Sequence, residues 1–303
     1  LVLMTQKYLF KVYAALVVSM IFWSMTFVWY KDAYMYLKPM TTIFLRLLIS
    51  SVFLYVFCKF TGKLQKIRRE DVKLVLLMAF FEPFMYFMGE SFGMQLVSPT
   101  VGAVIITTIP VFTPFMAWFA FNEKITWLNI LGIILSFFGV LLVVLGDKLS
   151  FSASPLGVSL LMVAVVAAIG YTGIIVKLSK KYNTYTIITT QNSIGVVLFL
   201  PFAFIFERDS ILNLSFNFDM LLPLFELAIF GSSLAFILFT YGIKHIGASR
   251  ANMFTNIIPV FTALFAFLKY GDPITLKIVS GIVIVMFGLF LSQISRLKSK
   301  NIL

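Results

Sequence analysis

The chain contains one five-residue segment twice, at positions that divide it into two nearly equal halves. The first copy is Ile109-Pro110-Val111-Phe112-Thr113, and the second, 149 residues later, is Ile258-Pro259-Val260-Phe261-Thr262. The same spacing relates Gly93 to Gly242. Each half also holds five apolar runs. Because an odd number of membrane crossings reverses the direction of the chain, the second half is predicted to lie upside down relative to the first.

The composition is that of a membrane protein. Hydrophobic residues fill 61% of the 303 positions and charged residues 12%, and the mean hydropathy is +1.02. A soluble domain carries about 25% charged residues. The predicted fold is an all-α integral membrane protein, in which two inverted five-helix repeats, residues 1–149 and 150–303, surround a central cavity. Since a transmembrane helix needs about 20 apolar residues, we predict ten spans near residues 9–30, 39–60, 72–94, 99–121, 127–146, 155–176, 184–206, 219–241, 248–268 and 274–294.

The distribution of charge predicts the orientation and the partners. The formal net charge is +12, from 24 Lys and Arg against 12 Asp and Glu. Most of the basic residues fall in alternate connections, which favours a membrane surface over nucleic acid and places both termini in the cytoplasm. We therefore expect an integral protein of a bacterial inner (plasma) membrane, with lipids as partners and no nucleic acid. The first apolar run lacks a small-residue cleavage site and is interpreted as a retained span.

The sequence offers little for catalysis or metal binding. It has one cysteine, Cys58, and one histidine, His245, which argues against a disulfide framework and against a Cys- or His-based metal site. A phosphate-binding loop of the G-x-x-x-x-G-K-[ST] type is also missing from the sequence. We predict no catalytic residues, no metal and no cofactor.

The third span carries two carboxylates within apolar sequence. Glu82, Tyr86 and Glu90 follow four-residue spacing, so they are predicted on one face of a single helix, with the carboxylates roughly 12 Å apart along its axis. Ionisable groups inside a membrane are costly and commonly functional, and we predict that these three line a substrate or ion pathway. The alternative is that the carboxylates only hydrogen-bond neighbouring helices. Another glutamate, Glu226, lies nearer a span end and is a weaker candidate.

Arg46 is the only basic residue deep within a predicted span. We expect it to form an ion pair with Glu82 or Glu90, because a buried guanidinium needs an acidic partner. The alternative is a side chain that reaches the membrane surface. The comparable region of the second half carries Gln191 and Asn192, which are assigned to the same pathway.

Pro110 and Pro259 occupy the middle of equivalent spans. Each is predicted to kink its helix, because proline lacks the N–H that an interior helical residue donates. Matching interruptions in two inverted halves indicate a binding site; the alternative is a packing kink without ligand contact. The predicted site is completed by neutral polar residues and by a tryptophan away from the span ends, namely Thr107, Asn252, Asn256 and Trp23.

Four glycines recur with seven-residue spacing in the fifth and tenth spans. Small residues on one helix face permit close contact with another helix. We predict that these two spans pack tightly, either with each other or in a dimer interface, so that monomer and homodimer both stay open. The glycines are Gly132, Gly139, Gly281 and Gly288.

Several short motifs are loose one by one and specific together. They are Phe22-Trp23-Ser24-Met25-Thr26-Phe27, Phe44-Leu45-Arg46, the two Ile-Pro-Val-Phe segments, and Asn122-Glu123-Lys124-Ile125-Thr126 before Gly132 and Gly139. With the repeat of five spans, they resemble the drug/metabolite transporter superfamily, EamA type, over nearly the whole chain. The resemblance implies ten helices, a cavity between the halves and, in many members, export of small metabolites or amino acids. Glu82 and Glu90 are not a general signature of that family.

We predict a secondary transporter of small organic metabolites or amino acids that works by alternating access, with export as the implied direction. Protons are the candidate coupling ion, through Glu82 or Glu90. Three alternatives stay open: an uncoupled facilitator of the same fold, an intramembrane enzyme acting on a lipid-linked substrate, and a subunit that assists another protein without transporting anything itself.

Overall fold

The computed structural model describes residues 2–112, 126–144, 153–214 and 217–300, and these residues form helices and short connections without a β-strand. The α-helices are α1 Val2–Ala33, α2 Pro39–Thr61, α3 Val72–Ala79, α4 Tyr86–Met94, α5 Pro99–Ile106, α6 Trp127–Val144, α7 Pro155–Leu178, α8 Thr184–Phe206, α9 Arg208–Leu212, α10 Phe218–Glu226, α11 Ala235–Ile246, α12 Ala248–Asn252, α13 Ile258–Tyr270 and α14 Leu276–Lys300. Widened π-helical turns at Phe80–Met85 and Leu227–Leu234 join α3 to α4 and α10 to α11, and a 3₁₀ turn at Met253–Ile257 joins α12 to α13.

Eight helical segments of the described residues are long and apolar enough to cross a membrane. Two shorter apolar helices, Pro99–Phe112 and Leu276–Leu291, stand where the fourth and tenth spans are predicted. The remainder of the predicted fourth span, from residue 113 onward, lies outside the described residues. The prediction of an all-helical protein with multiple membrane spans is confirmed. The eight long segments are Tyr8–Ala33, Pro39–Thr61, Arg69–Met94, Trp127–Val144, Pro155–Leu178, Thr184–Phe206, Phe218–Ile246 and Arg250–Tyr270.

Side-chain caps start several of these helices. Ser98 accepts a hydrogen bond from the backbone of Val101, with Pro99 in the first turn of α5. Ser154 caps α7 in the same way, with proline again following. Asn183 accepts from the third residue of α8. These caps satisfy N–H groups that a helix start leaves free, and proline has no N–H to satisfy.

The third span is not one continuous helix, contrary to the prediction. Glu82 has an extended backbone (φ −143°, ψ 118°) inside the widened turn between α3 and α4. Pro83 follows it, and proline both removes a helical donor and disfavours a helical residue before it. The four-residue spacing therefore places only Tyr86 and Glu90 on a common helical face. Shifted by 149 positions, residues 80–85 fall on 229–234, within the widened turn of the eighth span.

The two repeated prolines interrupt their spans rather than bend them. Helix α5 ends at Ile106, and a turn at Thr107 and Thr108 precedes the helical residues around Pro110. Pro259 lies in the first turn of α13, directly after the 3₁₀ turn. The first turn is the position at which a helix tolerates proline, since no intrahelical donor is lost there.

Helices of the two halves pack against each other in matching pairs. Helix α2 packs along α8 and α6 along α14, and in each pair the partners are related by the 149-residue shift. Helix α4 packs on α7, and the shifted counterparts of these two helices, α11 and α1, also pack on each other. Each half therefore buries its apolar surface against the other half.

The glycines of α6 and α14 lie where those helices touch. A Cβ added at Gly281 would lie 2.9 Å from the backbone oxygen of Gly139, and one at Gly288 would lie 2.5 Å from that of Gly132. Ser136 donates a hydrogen bond across the contact to the Val285 oxygen at 3.4 Å. The predicted close packing is therefore present within one chain, which leaves this face unavailable as a dimer interface.

Two polar clusters tie the halves together at opposite ends of α2. At the end of α1, Asp32 accepts hydrogen bonds from Lys269 Nζ at 2.5 Å and from the adjacent tyrosine of α13 at 2.6 Å. Before α3, Asp71 accepts from Lys181 Nζ at 2.6 Å and from the Tyr182 hydroxyl at 2.7 Å. The hydrogen bond to Asp71 raises the pKa of Lys181 above its usual value.

Candidate functional site

A cavity of about 90 Å³ lies where the interrupted spans of the two halves meet. A water molecule needs roughly 10–15 Å³ of such space, so the cavity has room for several waters or a small solute. Its wall is mostly apolar and aromatic, with polar groups from both halves. The lining residues are Trp23, Thr26, Phe27, Arg46, Glu82, Tyr86, Phe87, Glu90, Ile106, Thr107, Ile109 and Pro110 from the first half, and Ala168, Tyr171, Thr172, Phe236, Phe239, Asn252, Thr255 and Ile258 from the second.

Glu90, on α4, accepts hydrogen bonds from two tyrosines. Its Oε2 accepts from the Tyr30 hydroxyl at 3.0 Å and its Oε1 from the Tyr86 hydroxyl at 2.9 Å. The Tyr30 hydroxyl in turn accepts from the Arg46 guanidinium. The predicted direct ion pair is therefore wrong: no ion pair among the described residues includes Arg46. A hydroxyl both donates and accepts, which allows Tyr30 to stand between the two charges.

Arg46 is held inside the bundle by two further contacts and has room beside a glycine. Its Nε donates to Ser232 Oγ at 2.8 Å, and its guanidinium carbon lies 4.4 Å from the centre of the Phe87 ring. A Cβ at Gly231 would lie 3.2 Å from its second terminal nitrogen, so glycine leaves room for the guanidinium. With 2% of the residue exposed, Arg46 does not reach the membrane surface.

Glu82 differs from the other charged groups of the cavity in its hydrogen bonding. It is 5% exposed and contributes to the cavity wall, yet no residue in the described part of the chain hydrogen-bonds to its carboxyl group. Its position follows from the break at Pro83, because a continuous helix would have kept Glu82 in register with Tyr86 and Glu90. A buried carboxyl without a protein partner is costly, so a ligand, a proton or water is its expected complement.

Gln191 and Asn192 lie behind the cavity wall rather than in it. Gln191 accepts from the hydroxyl of Tyr171, itself a lining residue, at 3.0 Å. Asn192 donates to Ser50 Oγ at 2.7 Å and to the Ser232 backbone oxygen at 2.8 Å. Gln191 thus positions a lining tyrosine, and Asn192 joins α2 and α8 to the widened turn that also binds Arg46.

Of the remaining predicted site residues, some lie outside the cavity wall and others form part of it. Pro259 lies one residue beyond the lining Ile258, and Asn256 keeps a buried side-chain oxygen that has no hydrogen-bond partner in the described residues. Glu226, at the end of α10, is also outside the wall. The residues in the wall are Trp23, Thr107, Pro110 and Asn252.

The sequence profile of the EamA-like transporter family matches residues 10–145 and again residues 155–294. The chain belongs to the EamA-like transporter family. The resemblance inferred from the short motifs is confirmed, and the interpretation as an intramembrane enzyme is set aside, because the family and the curated relatives are transporters.

Similar proteins cover nearly the whole EamA-like chain. An uncharacterized transporter of Archaeoglobus fulgidus is 28% identical over 93% of this chain and 98% of its own length. The uncharacterized transporter YoaV of Bacillus subtilis is 24% identical over 93% and 96%. A protein of known crystal structure shares the fold with a TM-score of 0.68 at 13% identity, over 93% of this chain and 97% of its own.

Three residues of this EamA-like protein with defined roles escaped the sequence analysis. Tyr30 is the last residue of the first predicted span, where a tyrosine is ordinary, and Tyr171 has no sequence feature beyond its place in a span. Glu207, assigned to a connection, is 7% exposed and accepts hydrogen bonds from the first residues of α2, at 3.2 Å from Met40 N and 2.8 Å from Thr41 N. Its partners are far away in sequence, so no local pattern could have identified it.

Proposed function

We propose that this protein is a secondary transporter that carries a small organic solute across a bacterial inner membrane by alternating access. The observation that carries the proposal is the cavity itself, which lies between interrupted spans of both halves and contains a buried carboxyl that accepts no hydrogen bond from the described residues. Interrupted helices at equivalent positions of two halves are the usual surroundings of a transporter's binding site. Export and cytoplasmic termini belong to the proposal, on the family resemblance and the basic connections.

The proposed architecture is ten spans in two inverted repeats, residues 1–149 and 150–303. Support comes from the two matches of the family profile, one in each half. The paired packing of α4 on α7 and of α11 on α1 gives further support, since a two-fold relation between the halves requires such pairs. The two widened turns at equivalent positions support it as well.

We further propose that Glu82 is the group through which protons are coupled to transport, in preference to Glu90. Glu90 already accepts hydrogen bonds from two tyrosine hydroxyls, one of which links it to Arg46. Glu82 accepts none from the described residues and faces the cavity, so its protonation state can respond to whatever occupies that space.

The test uses purified protein in proteoliposomes that contain a trapped pH dye. Amino acids, nucleosides, sugars and organic amines are supplied under an imposed pH gradient, and uptake is measured by mass spectrometry. At least one solute is expected to enter with a protein-dependent change of internal pH. Glu82→Gln should abolish the dependence of uptake on the gradient. Glu226→Gln, which changes a carboxyl outside the cavity wall, should keep it.

Each other outcome counts against a part of the proposal. Full gradient dependence in Glu82→Gln would contradict coupling at this carboxyl. Uptake that is insensitive to the gradient in the unaltered protein would identify an uncoupled facilitator. Failure of the folded protein to move any solute of the panel would contradict transport and favour an assisting subunit.

A further inference from the structure

The charges in the cavity wall do not cancel. Arg46 and Glu90 compensate each other through the hydroxyl of Tyr30, and no other Lys or Arg lines the cavity among the described residues. Glu82 therefore remains as an acidic group to which no residue in the described part of the chain donates a hydrogen bond or an ion pair. An ionised Glu82 gives the space a net charge of one negative unit, which favours a positively charged occupant.

The wall around this charge is suited to a cation with an apolar body. The Trp23 ring meets the rings of Phe236 and Phe239 at centroid distances of 5.1 and 4.9 Å, and all three line the cavity. Aromatic faces attract ammonium groups within about 6 Å, the more strongly when water is excluded. The same rings bury alkyl groups, so they accommodate both parts of an organic amine.

An anion would add to an excess of negative charge around Arg46, since two carboxyl groups and one guanidinium line the cavity. The guanidinium of Arg46 donates to Tyr30 and Ser232 and lies on the ring of Phe87. A carboxylate bound there would join Glu82 and Glu90 around a single guanidinium, and negative charges that lie close together in a low-dielectric space repel one another strongly. An amino acid would meet this obstacle with its carboxylate, although its ammonium group suits Glu82.

We propose that the solute carried by this protein is a small organic cation, a primary amine or ammonium compound with an apolar body, whose charged nitrogen pairs with Glu82. This inference rests on the proposed transport function and adds the substrate class. Trp23, Phe236 and Phe239 contact the apolar body and the charged nitrogen, while the carboxyl groups of Glu82 and Glu90 disfavour an anion.

The test compares three ligands that share one branched alkyl body. They are 3-methylbutylamine, leucine and 4-methylpentanoate, which carry a cation, both charges and an anion respectively. Isothermal titration of the purified, unaltered protein should show the amine binding at least about tenfold more tightly than leucine, with no detectable binding of the anion. Glu82→Gln should lose amine binding and Glu82→Asp should keep part of it, while Glu226→Gln should leave it unchanged.

The outcomes separate this inference from the transport function. Leucine or 4-methylpentanoate binding as tightly as the amine, or no amine binding to the unaltered protein, would overturn the substrate class; this comparison needs no variant to fold. Uptake of another solute by vesicles would then leave the transport function intact. If the amine binds but vesicles take up none of the corresponding membrane-impermeant quaternary ammonium compound, the ligand class is supported and transport is contradicted.

Discussion

Tyr30 places one hydroxyl between a buried guanidinium and a buried carboxylate. Arg46 donates to it and Glu90 accepts from it, so the two charges share a neutral bridge. Without the bridge, both charged groups would lose a hydrogen bond in a place with few alternatives. Removing one partner from a buried charged group costs more than an average hydrogen bond contributes, because the other partner stays desolvated.

We therefore expect Tyr30→Phe to lower the free energy of unfolding by about 1.5–3 kcal/mol. The matched control is Tyr34→Phe, four residues on and just past the end of α1, whose hydroxyl donates to the neutral backbone oxygen of Ser91 at 2.8 Å. That change should cost about 0.5–1.5 kcal/mol. Denaturant or thermal unfolding in detergent measures both. Equal losses of unfolding free energy in the two variants would show that the bridge stabilises the fold no more than an ordinary hydrogen bond does.

At this scale, sequence reasoning found the unusual residues but not their partners. Glu82, Glu90 and Arg46 stand out because charge is rare in apolar spans. The bridging tyrosine does not stand out, since tyrosine near a span end is ordinary. The prediction of a direct ion pair is wrong because the sequence cannot show that a hydroxyl from α1 reaches between α2 and α4.

Helices α6 and α14 illustrate packing that their sequences specify. Glycines at seven-residue spacing predict a face on which two backbones approach closely. Their contact in the structure follows that prediction, with Val143 and Val285 filling the space beside the glycines. The breaks in the other spans were less accessible to prediction. Pro110 and Pro259 predict interruptions of their spans. The four-residue spacing of Glu82, Tyr86 and Glu90 instead predicts a continuous helix, and the break at Pro83 goes against it.

Gly288→Ala tests the contact between α6 and α14. The new Cβ would lie 2.4 Å from Ser136 Oγ and 2.5 Å from the Gly132 oxygen, so the helices must separate. Overpacking of this kind costs about 1–3 kcal/mol, and we expect a lower unfolding temperature in detergent. The control is Val283→Ala on the outer face of the same helix, which is 56% exposed and should change stability by less than about 0.5 kcal/mol. A Gly288 variant as stable as the control would contradict tight packing here.

At the scale of the whole molecule, both halves of the chain are needed to form the cavity. Neither half encloses the cavity alone, since Glu82 and Arg46 come from one half and Tyr171, Phe236 and Asn252 from the other. Polar clusters around Asp32 and Asp71 join the halves at either end of α2. The alternating access proposed above requires such contacts to open in turn. The lysine of each pair is 47% exposed, so water can replace its partner and lowers the cost of opening.

Orientation in the membrane gives a prediction for the molecule as a whole. In a Cys58→Ser background, Lys38→Cys before α2 and Lys66→Cys after it introduce exposed thiols at opposite ends of one helix. An impermeant maleimide added to intact cells should label the first variant, and should label the second only after permeabilisation. The reverse pattern would place the termini outside, and labelling of both would contradict a spanning α2.

The sequence by itself determined that this chain is a helical membrane protein with an internal repeat. Apolar run length, charge placement and repeated motifs can all be read along the sequence. Because exposing backbone polar groups to lipid is costly, apolar runs of this length form helices. Only the tertiary structure decided which charges are compensated. Burial and hydrogen bonding depend on helices far apart in the chain. Among the described residues, these helices supply Glu90 with two tyrosine donors and Glu82 with none.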